Sequence, residues 1–283
     1  MKLTILGSGG CVPIPKPLCQ CLICQEAREK GRPYSRTGPC AFLHDLGLLI
    51  DTPPQVCDAI NNANLTQVDR LLYTHLDGDH LDGHGVLGLF YFDGTQYLDS
   101  PSKTITFLVP PKIDDRLGLI SSQYGRPFEA YIEWKVLEKK ALAEAITLNG
   151  ITIIPIFVEH NPAYAYLYLF ISQEGKRLLY APCDTKPFLL SSPYVYDVDV
   201  LVTQPGFFET GLRDDFVYPP NDLTRTELYS FDETLEIAKT IRAKQVVFVH
   251  LEEYWNRSFD DYRKLEKEYD NISFAYDGME INL

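Results

Sequence analysis

A short stretch of this chain concentrates side chains that can hold a metal ion. Within six residues, directly after the apolar and strand-like segment 71–73, stand two histidines and two aspartates: His75, Asp77, Asp79 and His80. Imidazole and carboxylate groups are ligands for zinc, manganese and iron. A divalent ion held there would lower the pKa of a bound water towards neutrality and so produce a nucleophile. A solvated acidic loop would explain the aspartates but not the histidines at both ends, so the spacing favours a metal site.

Three further ligand-type residues each follow an apolar run: His160, Asp184 and His250. One histidine after a strand is usually a structural residue with a satisfied hydrogen bond. This chain has four such strand ends, because the strand before His75 is also followed by ligand-type residues. Four structural residues of this kind in one chain would be unusual. We therefore expect these strand ends to meet at one reactive centre.

A second cluster has the pattern C-x-C-x-x-C and consists of Cys19, Cys21 and Cys24. Three thiolates this close can bind one zinc ion, which would stabilise a loop that has little core of its own. The chain has seven cysteines, and their odd number argues against a disulfide framework. Three unrelated reduced cysteines and a redox pair are the weaker alternatives.

Length and charge limit the possible functions. The chain has 283 residues, enough for one large domain or two small ones, with 45% hydrophobic and 23% charged residues. A net charge of −13 argues against binding to a bulk polyanion, although metal ions would still allow one small phosphorylated substrate. No apolar run reaches membrane-spanning length and residues 1–7 read as a first strand, which favours a cytoplasmic protein.

Strand-like and helix-like segments alternate along most of the chain. Strands are predicted at 2–6, 41–43, 48–50, 70–74, 104–109, 151–158, 164–170, 177–181, 198–202, 246–249 and 272–276. Helices are predicted at 53–62, at 83–92, across the Lys/Glu-rich 112–145, and after capping boxes at 230–242 and 258–269. The glycine run 7–10 is a weak candidate for a phosphate-binding turn, and residues 11–40 look mostly irregular. The long loop 205–229 resembles a functional cover, with Arg213 and Tyr218 as candidate substrate contacts.

In this order, the strand ends resemble those of the metallo-β-lactamase superfamily, and the resemblance spans nearly the whole chain. It implies the α/β class, with an αββα sandwich and a dinuclear metal site at one edge of its two sheets. It also implies one domain over 1–283, with a zinc-binding loop insertion at about 11–40. The cysteine cluster and the terminal Asp277–Ile281 are similar to the phosphoribosyl cyclic phosphodiesterase (PhnP-like) group. The same cysteine cluster occurs in pyrroloquinoline quinone biosynthesis protein B.

The resemblance implies a ligand set. One zinc, manganese or iron ion would lie on His75, Asp77 and His160, and a second on Asp79, His80 and His250, with Asp184 bridging them. Asp79 and Asp184 would orient the attacking hydroxide. The cysteines would hold a structural zinc, for which Glu253 stands where the family has a histidine; Glu252 or another residue of the fold is the alternative fourth ligand. Three further residues are not expected to bind metal. His44 and His84 would be surface or supporting histidines, and Cys183 would be a buried residue at a strand end.

The family motif H-x-H-x-D-H has a histidine where this chain has Asp77. Three carboxylates and a bridging hydroxide would formally neutralise two divalent ions, whereas a histidine at that position would leave one positive charge. We therefore expect a weaker Lewis acid, a higher pKa for the bound water, and more tolerance for manganese or iron.

The implied function is hydrolysis of a small phosphodiester, cyclic or linear, by a hydroxide that bridges the metals. The alternatives are hydrolysis of an ester, thioester or lactone, and an iron-dependent oxidase related to the quinone-biosynthesis group. Relatives that process transfer RNA need a basic arm, and none is present in the sequence, so a small substrate is expected rather than nucleic acid or a membrane. Relatives are often dimers, which makes a homodimer one option.

Overall fold

A computed structural model of the protein describes residues 1–90, 101–123, 127–160 and 163–283, without the side chains of 120–123, 160 and 163. Its strands form two mixed sheets of seven strands each. The first sheet has the order β14-β1-β2-β3-β4-β5-β6, with β1 Lys2–Gly7, β2 Cys40–Leu43, β3 Leu48–Ile50, β4 Arg70–Leu72, β5 Ile105–Val109, β6 Leu137–Ala141 and β14 Met279–Asn282. The second has the order β13-β12-β11-β10-β9-β8-β7, with β7 Ile146–Leu148, β8 Ile151–His160, β9 Ala163–Ile171, β10 Arg177–Ala181, β11 Val200–Thr203, β12 Gln245–Phe248 and β13 Ile272–Phe274.

The directions of the strands bring the candidate ligands to one edge. Strands β3, β4, β5 and β6 pair in parallel, and so do β10, β11, β12 and β13. Strand β8 runs antiparallel to β9, which runs antiparallel to β10, so β8 points the same way as β10. Carboxyl ends of parallel strands meet at one edge of a sheet, and those of β4, β8, β10 and β12 precede or carry the candidate ligands.

Alternating side chains of the second sheet contribute to two separate cores. Leu178 and Tyr180 of β10 point into the core shared with the first sheet, while Leu179 and Ala181 point into the core under the outer helices. This is the period of two that a strand buried on both faces requires. The hydroxyl of Tyr168 donates to the carbonyl of Tyr73 at 2.6 Å and joins the two sheets beside the ligand loop.

The helices cover the outer faces. They are α1 Leu22–Lys30, α2 Val56–Asn62, α3 Gly78–Leu81, α4 Pro111–Gln123, α5 Pro127–Glu133, α6 Leu223–Glu227, α7 Phe231–Thr240 and α8 Phe259–Leu265. Both predicted capping boxes are present at the start of α7 and α8, where Ser230 and Ser258 accept from the backbone of Glu233 and Asp261. The predicted αββα sandwich is thus confirmed. Among the described residues, no helix combines the length and the apolar character that a bilayer crossing needs.

Several local predictions need correction. The segment 11–40 is mostly irregular, as predicted, but it contains helix α1, because residues 22–30 lack proline and bury Ile23, Cys24 and Ala27 on one face. The Lys/Glu-rich segment 112–145 is helical only as far as Glu133 and then forms β6, whose last four residues are exposed. Strand β6 is an edge of its sheet, and charged residues protect such edges from pairing with other chains. The helix expected from 83 is a 3-10 helix, His84–Leu89, and residues 91–92 of that prediction lie outside the described residues.

Candidate metal centre

The loop after β4 and the short helix α3 bring four of the candidate ligands together. Helix α3 begins after Asp77, so that Asp79 and His80 lie within its single turn and His75 lies in the preceding loop. The ring centroids of His75 and His80 are 4.0 Å apart, and both side chains are buried. The two ends of the motif therefore converge, as the sequence predicted.

One group of donor atoms contains Asp79, His80 and His250. Asp79 Oδ2 lies 3.4 Å from Nε2 of His80 and 3.3 Å from Nε2 of His250. Nitrogen and oxygen donors that share one tetrahedral zinc ion at their usual bond lengths are about 3.4 Å apart. These distances exceed those of a strong ionic hydrogen bond and fit donors arranged around a common cation.

A second group contains His75, Asp77 and Asp184. Nε2 of His75 lies 3.5 Å from Asp184 Oδ2 and 3.9 Å from Asp77 Oδ2. Asp77 is the outlier, and its side chain is 69% exposed. Six of the seven predicted ligands are therefore brought together in two groups, and the ligand role of each stays a prediction.

His160 is the last residue of β8 and pairs in register with Ala163 at the same sheet edge. Its side chain lies outside the described residues, so its predicted ligand role stays a prediction from the sequence.

A buried carboxylate orients the second half of the centre. Asp51 follows β3 and has no exposed surface; its Oδ2 lies 2.8 Å from Nδ1 of His80. The backbone N–H and the hydroxyl of Thr74 also donate to Asp51, each at 2.8 Å. A carboxylate on one nitrogen of a histidine fixes the ring and leaves the other nitrogen free to bind metal. Sequence reasoning noted only that a strand runs into Asp51; an acidic residue after the neighbouring parallel strand was the available signal.

The electrostatics of the centre favour a cation. Burial lowers the pKa of His250, but the carboxylates of Asp79 and Glu252 outweigh it and raise that pKa to about 10. Burial also opposes ionisation of Asp79, yet His250 and His80 hold its pKa well below its usual range. A field that favours a proton on a buried imidazole favours a divalent ion at the same place. The donor set thus fits the metal ions that the fold implies.

Two thiols and one carboxylate at this site were not predicted as part of it. Cys183, expected to be merely buried, is indeed buried, but its Sγ lies 3.3 Å from Nε2 of His80. Burial raises the pKa of Cys183, and so do the charges of Asp184 and Asp79. Cys11 and Glu252 form a further donor group with His250. Cys183 stands directly before Asp184 and Glu252 two residues after His250, so proximity to a candidate ligand was the available signal for both; Cys11 has no such neighbour.

Several of these side chains depend on sharp turns at strand ends. Asp51, Asp184 and His250 have φ angles of 64°, 52° and 57°, in the left-handed region that few residues other than glycine adopt. Each therefore leaves its strand abruptly at the sheet edge.

The cysteine cluster is assembled as the sequence predicted. The sulfur atoms of Cys19, Cys21 and Cys24 and a carboxylate oxygen of Glu253 lie within 4.8 Å of one another. Glu253 is buried, and its Oε2 is 3.8 Å from the sulfur of Cys21. The arrangement fits one tetrahedral zinc ion with three sulfur ligands and one oxygen ligand.

Arg213 belongs to this cluster rather than to the reactive centre. Its Nη1 donates to Oε2 of Glu253 at 2.6 Å, and thereby offsets the extra negative charge that a glutamate brings where the family has a histidine. Tyr218 is buried and packs edge-on against Phe207 and Phe216. Neither Arg213 nor Tyr218 lines the cavity that the described residues form around the reactive centre, so their proposed contact with substrate finds no support.

The glycine run 7–10 has a packing role. The N–H groups of Gly9 and Gly10 donate to the carbonyls of Thr37 and Leu251. A Cβ atom on Gly10 would lie 1.9 Å from Oε1 of Glu252. The run therefore allows close approach of neighbouring segments, and its N–H groups are engaged within the protein instead of facing a phosphate.

The two remaining histidines have structural partners. Nε2 of His44 lies 2.8 Å from the hydroxyl of Thr4, and Nδ1 of His84 lies 3.2 Å from the hydroxyl of Tyr131. The supporting role expected for both is consistent with these contacts.

The reactive centre opens into a cavity of about 860 Å³. Its walls combine the donor groups with the segment 223–228, Tyr254 and Trp255. The ammonium group of Lys186 donates to the carbonyls of Arg225 and Leu228 at 2.7 and 2.9 Å and holds that segment against the cavity. Part of the predicted cover, 205–229, thus does border the site.

Solved structures with the same fold extend over the full chain. A diphosphatase from the PhnP family is 21% identical, with a TM-score of 0.71, and the match covers 100% of this chain and 97% of that one. Zinc-bound PqqB from Methylobacterium extorquens is 20% identical over 100% of both chains, with a TM-score of 0.75. The short form of human tRNase Z is 15% identical over 100% of this chain and 99% of that one, with a TM-score of 0.61.

No curated protein sequence matches the chain. The family model described as the beta-lactamase superfamily domain matches residues 48–251, which include every candidate ligand of the reactive centre. That range is more than half of the chain and runs from β3 to the residue after His250. The resemblance inferred from the strand ends is therefore confirmed, and the chain belongs to the β-lactamase superfamily.

Proposed function

We propose that this chain is a metal-dependent hydrolase that cleaves a small phosphodiester. The observation that carries the proposal is the pair of donor groups at the base of one cavity, one around Asp79 and the other around Asp184, with donor distances of 3.3–3.9 Å. Two divalent ions held there would polarise a phosphoryl group and provide a nucleophile near neutral pH.

The chain's own residues have separable roles in this reaction. Asp79 stays ionised at neutral pH, because His250 and His80 lower its pKa, and so it can accept a hydrogen bond from an attacking water. Asp184 faces the other half of the centre through His75, at 3.5 Å, and can hold the same water from the opposite side. Two acceptors on one water fix its lone pair towards the substrate.

The charge of the cavity favours a diester over a monoester. Among the described residues, the carboxylates that line it are Asp77, Asp79, Asp184, Glu227 and Glu252, and the only lysine or arginine that lines it is Lys186. A phosphodiester carries one negative charge, whereas a monoester carries about two near neutral pH. The less charged substrate meets less repulsion from these walls.

The size and lining of the cavity favour a small substrate. A volume of about 860 Å³ is within the range of sites for small molecules. Leu223 and Leu228 supply apolar surface beside the donor groups, which suits the organic part of such a substrate. Binding of a nucleic acid would instead need a broad basic surface, which a net charge of −13 disfavours.

A matched set of chromogenic substrates tests the proposal. We would compare kcat/KM for bis-4-nitrophenyl phosphate, 4-nitrophenyl phosphate and 4-nitrophenyl acetate, which share one leaving group, with zinc or manganese supplied. A five-membered cyclic diester would follow. We expect the diester to be preferred over the monoester, and Asp79→Asn to lower the diester rate by at least about 100-fold. Asp58→Asn, an exposed residue of α2, is the control and should match the wild type.

Other outcomes would redirect the assignment. Turnover of the acetate alone would favour the ester, thioester or lactone hydrolase that the same donor set can support. Bound iron with oxygen uptake and no hydrolysis would favour the oxidase. Equal rates for Asp79→Asn and the wild type would contradict the proposed centre.

A further inference from the structure

The sulfur atom of Cys183 lies between the two histidines that begin and end the ligand loop. It is 3.3 Å from Nε2 of His80 and 3.7 Å from Nε2 of His75. Cys183 is only 4% exposed and follows β10 immediately before Asp184. The three donor atoms form a group that could hold a metal ion, in addition to the groups built on Asp79 and Asp184.

The distances match those expected between ligands of one ion. Zinc binds sulfur at about 2.3 Å and imidazole nitrogen at about 2.0–2.1 Å, so a tetrahedral angle separates the two donors by about 3.6 Å. The observed values of 3.3 and 3.7 Å lie on either side of that separation.

A hydrogen bond from a neutral thiol accounts for less of this geometry. One S–H group can donate to one nitrogen, but two imidazole Nε2 atoms face the same sulfur. Nδ1 of His80 is already engaged by Asp51 at 2.8 Å, so its Nε2 presents a lone pair into the site. A cation between sulfur and nitrogen satisfies both electron-rich donors at once.

We propose that Cys183 is a thiolate ligand of the reactive centre that bridges its two ions, sharing one ion with His75 and the other with His80. This deepens the proposed function and rests on its metal centre. On binding, a metal–sulfur bond replaces the S–H bond and the proton leaves to the solvent. The thiolate adds one negative charge to the carboxylates already present and makes the site softer.

The ligand changes which metal the site prefers. Thiolate favours zinc over manganese, whereas carboxylate favours manganese. The extra carboxylate of Asp77 therefore favours manganese, whereas the thiolate of Cys183 favours zinc. Replacement of Cys183 by serine should shift the ratio of zinc to manganese affinity towards manganese by at least about tenfold.

Cobalt substitution tests the ligand directly. The full-length protein would be kept reduced and treated with a chelator until one zinc per chain remains, on the cysteine cluster, and Co²⁺ would then be added to the reactive centre. We expect a near-ultraviolet band from sulfur-to-cobalt charge transfer that is lost in Cys183→Ser and in Cys183→Ala. The band should persist in Cys57→Ser, which changes an exposed cysteine of α2. Thermal melts and retention of the cluster zinc would verify that each variant folds.

Difference spectra make each outcome decisive. Cobalt that exchanges into the cysteine cluster contributes the same band to the wild type and to every variant. That band therefore cancels when a variant's spectrum is subtracted from that of the wild type. Equal spectra for the wild type and the Cys183 variants would overturn the proposal. Loss of the band in Cys11→Ser instead of the Cys183 variants would overturn it too. Phosphodiester turnover that survives such a result would leave the proposed function standing. Failure to bind cobalt at all would contradict the metal centre itself and therefore both proposals.

Discussion

The carboxylate of Asp51 holds the imidazole of His80 through a contact of 2.8 Å, and neither side chain has any exposed surface. The contact joins the end of β3 to helix α3, which follows the neighbouring parallel strand β4. It fixes the ring so that Nε2 faces Asp79, at 3.4 Å. A fixed ring lowers the entropy that a ligand loses when it binds a metal ion.

Replacement of Asp51 by asparagine should weaken metal binding without removing a ligand. The amide keeps the volume but removes the negative charge that orients and polarises His80. We expect the dissociation constant for zinc in the reactive centre to increase by about 10–100-fold, the usual effect of losing such a partner. Competition with a chromogenic chelator measures it, with Asp58→Asn as the surface control. An unchanged constant would show that the contact plays no part in binding.

Asp77→His should restore the positive charge of the centre. Asp77 is 69% exposed, so a histidine can be accommodated there without repacking the core. One negative charge fewer makes the bound ions more acidic, which lowers the pKa of their water and shifts the acidic limb of the pH–rate profile to lower pH. Preference should also move from manganese towards zinc. An unshifted acidic limb would argue that Asp77 is too far from the ions to matter.

Glu253 should decide whether the cysteine cluster retains zinc. Its buried carboxylate is 3.8 Å from the sulfur of Cys21, so Glu253→Ala leaves three thiols with an incomplete site. We expect this variant to lose zinc to a chelator and to melt at a lower temperature. Glu253→His, which places the family's residue there, should retain the zinc. The exposed Glu268→Gln serves as control, and equal retention in all variants would remove Glu253 from the ligand set.

Asp277 connects the segment before β14 to the loops that contain Ser8 and Thr37. Its carboxylate, which is buried, accepts hydrogen bonds from the N–H and hydroxyl groups of both Ser8 and Thr37, at 2.7–2.9 Å. An asparagine would turn an amide N–H₂ towards two of these donors. Asp277→Asn should therefore lower the free energy of unfolding by roughly 1–3 kcal/mol. Denaturant titration measures it, and an exposed variant such as Asp270→Asn should stay within about 0.5 kcal/mol of wild type.

The parts of the site that sequence could predict are those with local signals. His75 to His80 form one turn of chain, so their spacing alone brings them together. The capping boxes at Ser230 and Ser258 are also local, and both are present. Glu253 was reached through the family pattern, and the structure places it beside the cysteines.

The parts that sequence could not predict depend on where separate segments meet. Cys183 approaches His80 only because the loop after β10 meets the loop after β4. Glu252 reaches the site because Gly10 leaves room for its carboxylate. Strand β6 was missed because its Lys/Glu-rich sequence is typical of an exposed helix, and only its position at a sheet edge makes it a strand.

Metal content tests the central claim most directly. Metals would be counted in protein purified without added metal, and again after reconstitution with zinc or manganese and removal of loosely bound ions. With two ions in the reactive centre and one on the cysteine cluster, about three per chain are expected. Asp79→Asn should reduce the number, whereas Asp58→Asn should not. A single ion, bound by the cysteines, with none on His75 and His80 even after reconstitution, would contradict the account.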